Sequence, residues 1–120
     1  MPMRGIRGAT LLTADDADEM REAVCELLQE MLTVNEVDQE QVVSIILTGT
    51  PDIHAAFPAT AARALGLADV PLLCAQELDI DGAVELAVRV LIHADVSRSR
   101  ADIHHVYLRG ADVLRQDLKR

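Results

Sequence analysis

Apolar residues recur at three- and four-residue spacing across one stretch, at Met20, Ala23, Val24, Leu27, Leu28, Met31 and Leu32, while Asp18, Glu19, Glu22, Glu26 and Glu30 take the opposite side. That period predicts a long amphipathic helix. Thr13 with Asp16 three residues later resembles a capping box, acids in the first turn suit the positive end of the helix dipole, and the helix should end near Asn35. Before it, residues 3–12 alternate loosely and carry Gly5 and Gly8, which fits a strand approached closely by another backbone. Residues 42–48 (Val42, Val43, Ser44, Ile45, Ile46, Leu47, Thr48) are mostly β-branched and almost continuously apolar, the signature of a strand covered on both faces. Gly49, Thr50 and Pro51 stop it.

After an irregular stretch at 51–58, residues 59–65 are Ala-rich and predict a short helix that begins behind Pro58 and ends at Gly66. A short strand is expected at 70–75. Residues 83–96 fit both periods; β-branching favours a strand from Val88, after a helical turn. The last strand is expected at 104–109, with Val106 and Leu108 on one face and His105, Tyr107 and Arg109 on the other. The pattern therefore predicts an α+β fold: a mixed β-sheet packed on one long amphipathic helix, in a single domain spanning 1–120.

Composition narrows the function. The 120 residues carry 11 Lys+Arg against 20 Asp+Glu, a formal charge of −9, and half of them are hydrophobic, the balance of a globular domain. One Phe, one Tyr and no Trp leave no stacking platform for bases, and the acidic total repels phosphate chains, so no nucleic-acid partner is expected. No apolar run approaches the roughly 18 residues that cross a bilayer, the start has no signal-peptide core, and the two cysteines, Cys25 and Cys74, form no disulfide or zinc framework. A cytoplasmic protein without a membrane partner is expected. So small a domain has little volume to enclose a ligand by itself, which places any small-molecule site between subunits. Ten of the eleven basic residues are Arg, whose planar fork suits carboxylates.

No glycine-rich phosphate loop or nucleophile elbow is present, and His104 and His105, adjacent on the expected strand, face opposite sides and share no metal. Functional groups on separate elements are more telling: Arg7, Arg63, Glu77, Arg89 and Tyr107. An Arg inside an apolar strand is costly to desolvate unless a carboxylate or a bound anion meets it. Spacing alone leaves an internal ion pair and a ligand role both open for Arg89, and equally for Glu77.

Four segments carry more. Arg4-Gly5-Ile6-Arg7-Gly8-Ala9-Thr10, Thr50-Pro51-Asp52-Ile53-His54-Ala55-Ala56-Phe57-Pro58-Ala59, Val70-Pro71-Leu72-Leu73-Cys74-Ala75-Gln76-Glu77-Leu78-Asp79 and His105-Val106-Tyr107-Leu108 resemble, in order and spacing, the short monofunctional chorismate mutases of the AroH class. The resemblance runs from Arg4 to Leu118. It implies conversion of chorismate to prephenate by an intramolecular Claisen rearrangement, with no cofactor and no metal, in a homotrimer that forms a pseudo-α/β barrel with active sites between subunits. It also implies roles. Arg89 donates to the ether oxygen and a carboxylate; Arg7 and Tyr107 hold the side-chain carboxylate. Glu77 and Cys74 sit at the ring hydroxyl and the electron-poor side of the ring. Phe57, Ala59, Leu73 and Leu114 form an apolar wall, and Arg63 and Arg115 add charge at the mouth, where the tail would close over substrate. Thr60 stands where some members carry a lysine, residues 65–69 are one residue shorter than in some relatives, and Gln116 replaces a common proline. Two other readings of a small α/β chain with an arginine in a cleft are a trimeric imine deaminase and a non-catalytic module that binds an aromatic-pathway metabolite.

Overall fold

A computed structural model describes residues 2–118. The elements run β1 (Met3–Leu11), α1 (Ala17–Val34), β2 (Val42–Gly49), α2 (Ala59–Ala64), β3 (Leu72–Gln76), β4 (Ala87–Asp95) and β5 (Val106–Leu108), with short 3-10 turns at Gln39–Gln41, Arg100–Asp102 and Ala111–Leu118. One mixed sheet orders its strands β3-β2-β4-β1-β5. Central β4 is antiparallel to β1 and β2, whereas the outer β5 and β3 run parallel to β1 and β2. The α+β class and the single long helix are as the periodicity predicts.

All seven apolar positions of α1 are buried against one face of the sheet, where they meet Ile6, Ile45, Leu47, Val88, Val90 and Ile92. Each buried Leu- or Val-sized side chain contributes about 1.5–3 kcal/mol. The helix comes so close to β1 that a Cβ on Gly8 would stand 2.5 Å from Met31 Sδ and 3.1 Å from Leu27 Cδ1. Glycine is used there for close approach. Asn35, buried at the helix C-terminus, donates to the carbonyls of Met31 and His104 and accepts the His104 N–H at 2.8 Å, which ties the helix end to the chain entering β5.

Several boundaries differ from the sequence expectation, each for a local reason. The N-cap of α1 is Asp16, whose carboxylate accepts the Glu19 N–H at 2.8 Å; Glu19 in turn reaches back to the Thr13 N–H at 2.6 Å. Strand β3 begins at Leu72 because the Val70 N–H closes a turn onto Leu67 and Pro71 has none to give. No helical turn precedes β4: Leu86 takes φ 51° with its N–H on the Asp52 carboxylate at 2.9 Å, and the strand starts directly after. Strand β5 is short because Arg109 and Gly110 turn out of it with φ 53° and 86°. Arg109 then reaches Glu26 and Glu22 on α1 at 3.1 and 3.3 Å rather than lying beside Tyr107.

The largest difference concerns β2. The run 42–48 predicts cover on both faces, yet α1 and α2 cover only one. On the other face Ser44, Ile46 and Thr48 stay partly exposed, as do Leu91 and His93 of β4. Apolar content on that open face exceeds what the chain itself covers.

Candidate active site

The register of the sheet assembles the site. Ala75, Thr48, Arg89, Ala9 and Tyr107 are consecutive partners across β3, β2, β4, β1 and β5, so their side chains share the open face in one row. Glu77 follows β3 directly, and its N–H extends the ladder by one bond to the Gly49 carbonyl at 2.9 Å. Thr48 Oγ1 donates to Glu77 Oε2 at 2.6 Å, and the same oxygen accepts from Arg89 Nε at 3.0 Å. Thr48 thus holds the carboxylate that holds the guanidinium. Arg7 lies two residues along β1 from Ala9, on the same face and opposite Leu91.

These groups line a cleft of about 790 Å³ that also takes in Leu114 from the final 3-10 turn. Two guanidinium groups, Arg7 and Arg89, face one carboxylate, Glu77, so the cleft carries a local positive excess in an acidic protein. Arg89 remains 48 % exposed and Glu77 20 %. A carboxylate does meet this in-strand Arg, as the desolvation argument requires, and the cost is lowered further because Arg89 points from the uncovered face of β4. The internal ion pair and the ligand role, open alternatives by spacing, converge on one residue pair. A guanidinium offers several N–H groups, and one bond at Nε does not exhaust it.

The remaining sequence candidates lie elsewhere. Phe57 and Cys74 line a second hollow of about 410 Å³ with Ala75 and Gln76. Cys74 pairs with Leu47 and so points to the helix side of the sheet, while Leu73 pairs with Ile46 on the open face and is 62 % exposed. Phe57 is 72 % exposed. Ala59 is buried at the start of α2, Arg63 is exposed in its last turn, and neither lines the cleft. Arg115 belongs to the final 3-10 turn, and its side chain lies outside the described residues. One chain therefore brings Arg7, Glu77, Arg89, Tyr107 and Leu114 together and keeps Phe57 and Cys74 apart from them.

Sequence reasoning did not single out Thr48, although the polar period of Ser44 and Thr48 marks the open face of β2. It also passed over two carboxylates that shape loops. Asp15 accepts the N–H groups of His54 and Ala55 at 3.0 and 2.9 Å, which fixes the segment carrying Phe57 and holds the carboxyl below its ordinary range. Asp52 accepts from Leu86 N–H and from Thr50 Oγ1 at 2.6 Å. Among the described residues no cluster of His, Cys, Asp or Glu is arranged to hold a metal, and no helix is long and apolar enough to cross a membrane.

Comparison with known proteins bears on the family and the fold. The family model described as chorismate mutase type I matches residues 3–118. Chorismate mutase AroH of Bacillus subtilis is 40 % identical over 98 % of the chain and 94 % of its own length. The AroH of Thermus thermophilus is 40 % identical over 98 % and 97 %. A solved chorismate mutase structure from Clostridium thermocellum superposes with a TM-score of 0.89 at 42 % identity, over 91 % of this chain and 97 % of that one.

Proposed function

The chain belongs to the chorismate mutase type I family and is an isomerase of aromatic biosynthesis that converts chorismate to prephenate, and from that premise we propose how its residues divide the work. Substrate and product are dicarboxylates, and arginine forks meet carboxylates with defined geometry. In the Claisen rearrangement the breaking ether oxygen gains negative charge while the ring side becomes relatively positive. A donor fixed at that oxygen stabilises the transition state more than the substrate. Arg89 is that donor. The observation that carries the assignment is the chain Thr48–Glu77–Arg89, which orients the guanidinium before any ligand arrives, in a cleft that also holds Arg7 and Tyr107.

Arg7 and Tyr107 hold the side-chain carboxylate. Glu77 orients the ring hydroxyl, and Cys74 lies at the electron-poor side of the ring. Phe57, Ala59, Leu73 and Leu114 supply an apolar wall that favours the compact conformer, which is the orientation part of the rate gain. Arg63 and Arg115 raise the potential at the mouth. The rearrangement needs no nucleophile and no general base.

The protein works as a homotrimer, with each site shared between neighbours. Two observations support this. Phe57 and Cys74 lie in a hollow separate from the Arg89 cleft, so one chain supplies two incomplete halves. Phe57, Leu73, Leu78 and Ile80 are large apolar side chains exposed by 60 % or more on a single chain, a surface a stable protein covers. The residues act in one domain, in the cytoplasm. The test is loss of chorismate absorbance with purified protein and no added cofactor, prephenate being identified by acid conversion to phenylpyruvate, with sizing at low micromolar concentration. Conversion by a species near three chain masses is expected. A fully active monomer overturns the shared site, and an unchanged rate in Arg89→Ala overturns the role of Arg89.

A further inference from the structure

We propose that His105 is a positioning residue for this reaction, fixing Arg7 by accepting its backbone N–H. The inference rests on the reading of Arg7 as a carboxylate ligand. The ladder between β1 and β5 pairs only Gly8, Ala9 and Thr10 with Val106, Tyr107 and Leu108. Where that ladder stops, one residue short of Arg7, the Arg7 N–H donates to Nδ1 of the His105 imidazole at 3.0 Å. A side chain replaces the carbonyl that a longer strand would provide. The bond requires Nδ1 to be the unprotonated nitrogen, which places the ring proton on Nε2.

The position of this bond gives it its consequence. Arg7 sits on a strand held by β4 on one side, and on the other side it is reached by His105 before the ladder takes over at Gly8. The bond fixes the Cα from which the Arg7 guanidinium is projected. The same imidazole stands two residues before Tyr107, which enters the cleft from β5. Its own side of the sheet edge is a hollow lined by Glu30 of α1, His104, Tyr107 and Asp112. His105 lines this hollow and not the Arg89 cleft, so it acts through the groups that meet substrate.

Three variants separate this from a packing role. His105→Asn keeps an acceptor oxygen close to the place of Nδ1, His105→Leu keeps bulk without an acceptor, and Arg7→Ala removes the ligand arm. His105→Leu should raise KM for chorismate by roughly three- to tenfold, the worth of one backbone hydrogen bond, with kcat changed much less, because a carboxylate contact is made in ground and transition state alike. His105→Asn should restore KM towards wild type. In Arg7→Ala, which itself raises KM, adding His105→Leu should have little further effect. A wild-type KM in His105→Leu, equal losses in the Leu and Asn variants, or multiplying effects in the double variant overturns the inference. An unchanged KM in Arg7→Ala defeats the carboxylate reading of Arg7, and this inference with it. Hydrogen exchange of the Arg7 amide in the unaltered enzyme gives a readout independent of folding in the variants: protection is expected beyond the end of the β5 ladder, and exchange at the rate of an open amide overturns the proposal.

Discussion

The two faces of the sheet solve opposite problems with the same strands. At the centre of the helix face the packing partners come from the chain: Ile6, Val88, Val90 and Ile92 meet α1, Gly8 gives up its side chain to let the helix approach, and Asn35 satisfies the buried chain beside it. On the open face polar side chains hold one another in series, Thr48 to Glu77 to Arg89, above a cleft, and the large apolar residues around it are exposed. The first face carries the stability and the second the chemistry. The contrast shows why an acidic chain of this size can afford a cationic site: Arg89 rests on a fully packed layer yet is itself only partly desolvated, so the ion pair with Glu77 orients it without the penalty of full burial.

The sharpest way to separate the faces is Arg89→Ala. It removes an open-face donor and no core contact, so turnover of chorismate should fall by about 10²–10³-fold or more, as for loss of a single oxyanion donor. The thermal midpoint should move little, because the side chain is 48 % exposed. Steady-state kinetics beside a melting curve checks both halves. A large drop in midpoint would break the comparison by making Arg89 structural.

The reciprocal change, Leu27→Ala, strikes the helix face. Leu27 is fully buried beside Gly8, and its truncation should cost about 2–5 kcal/mol of stability by denaturant unfolding. Activity per folded molecule should be retained at temperatures well below the new midpoint.

These two outcomes bear on what the sequence made legible. Periodicity located α1 by its seven buried positions, because a helix packed on a sheet imposes its spacing on the residues it buries, while loose alternation, apolar runs and β-branching located the five strands. The open face was read as covered, since Ile46 and Leu91 are apolar whether the cover comes from this chain or another. Periodicity reports the need for a partner without naming it. The convergence of Arg7, Glu77, Arg89 and Tyr107 follows from strand register, which no local pattern carries, and their roles came from resemblance of whole segments. Thr48 and Asp15 are not singled out by the sequence, and His105 is read there only for its face and its lack of a shared metal, because each acts through a hydrogen bond to a residue distant in sequence. Caps and turns failed for the same reason where a remote carboxylate such as Asp52 decides the local backbone.

A third change sharpens the reading of the open face as an interface. Leu73→Asp places a charge on an exposed strand position beside Ile46. In a lone chain such a surface change costs within about 0.5 kcal/mol, but buried between subunits an unpaired polar group costs on the order of 2 kcal/mol or more. Sizing should therefore show a smaller species at low micromolar concentration, with activity falling in parallel. An unchanged assembly would place the contact elsewhere on the face.

The smallest expected effect lies at Asp15, which holds the segment carrying Phe57. Its carboxylate accepts two backbone N–H groups, which lower its pKa below the ordinary 3.8. A carboxyl whose pKa is depressed on folding stabilises the folded state above its unfolded value, and that contribution is lost as pH falls through the lowered value. Asp15→Asn should leave the midpoint nearly unchanged relative to other variants at neutral pH and flatten its dependence on pH in the acid range below about 4. The same variant should loosen the segment at His54 and Ala55, seen as faster amide exchange there, while the Arg89 cleft keeps its protection. Equal loosening in both places would mean that the two halves open as one unit, and the division between a self-contained face and an incomplete one would have to be redrawn along the loop rather than across the sheet.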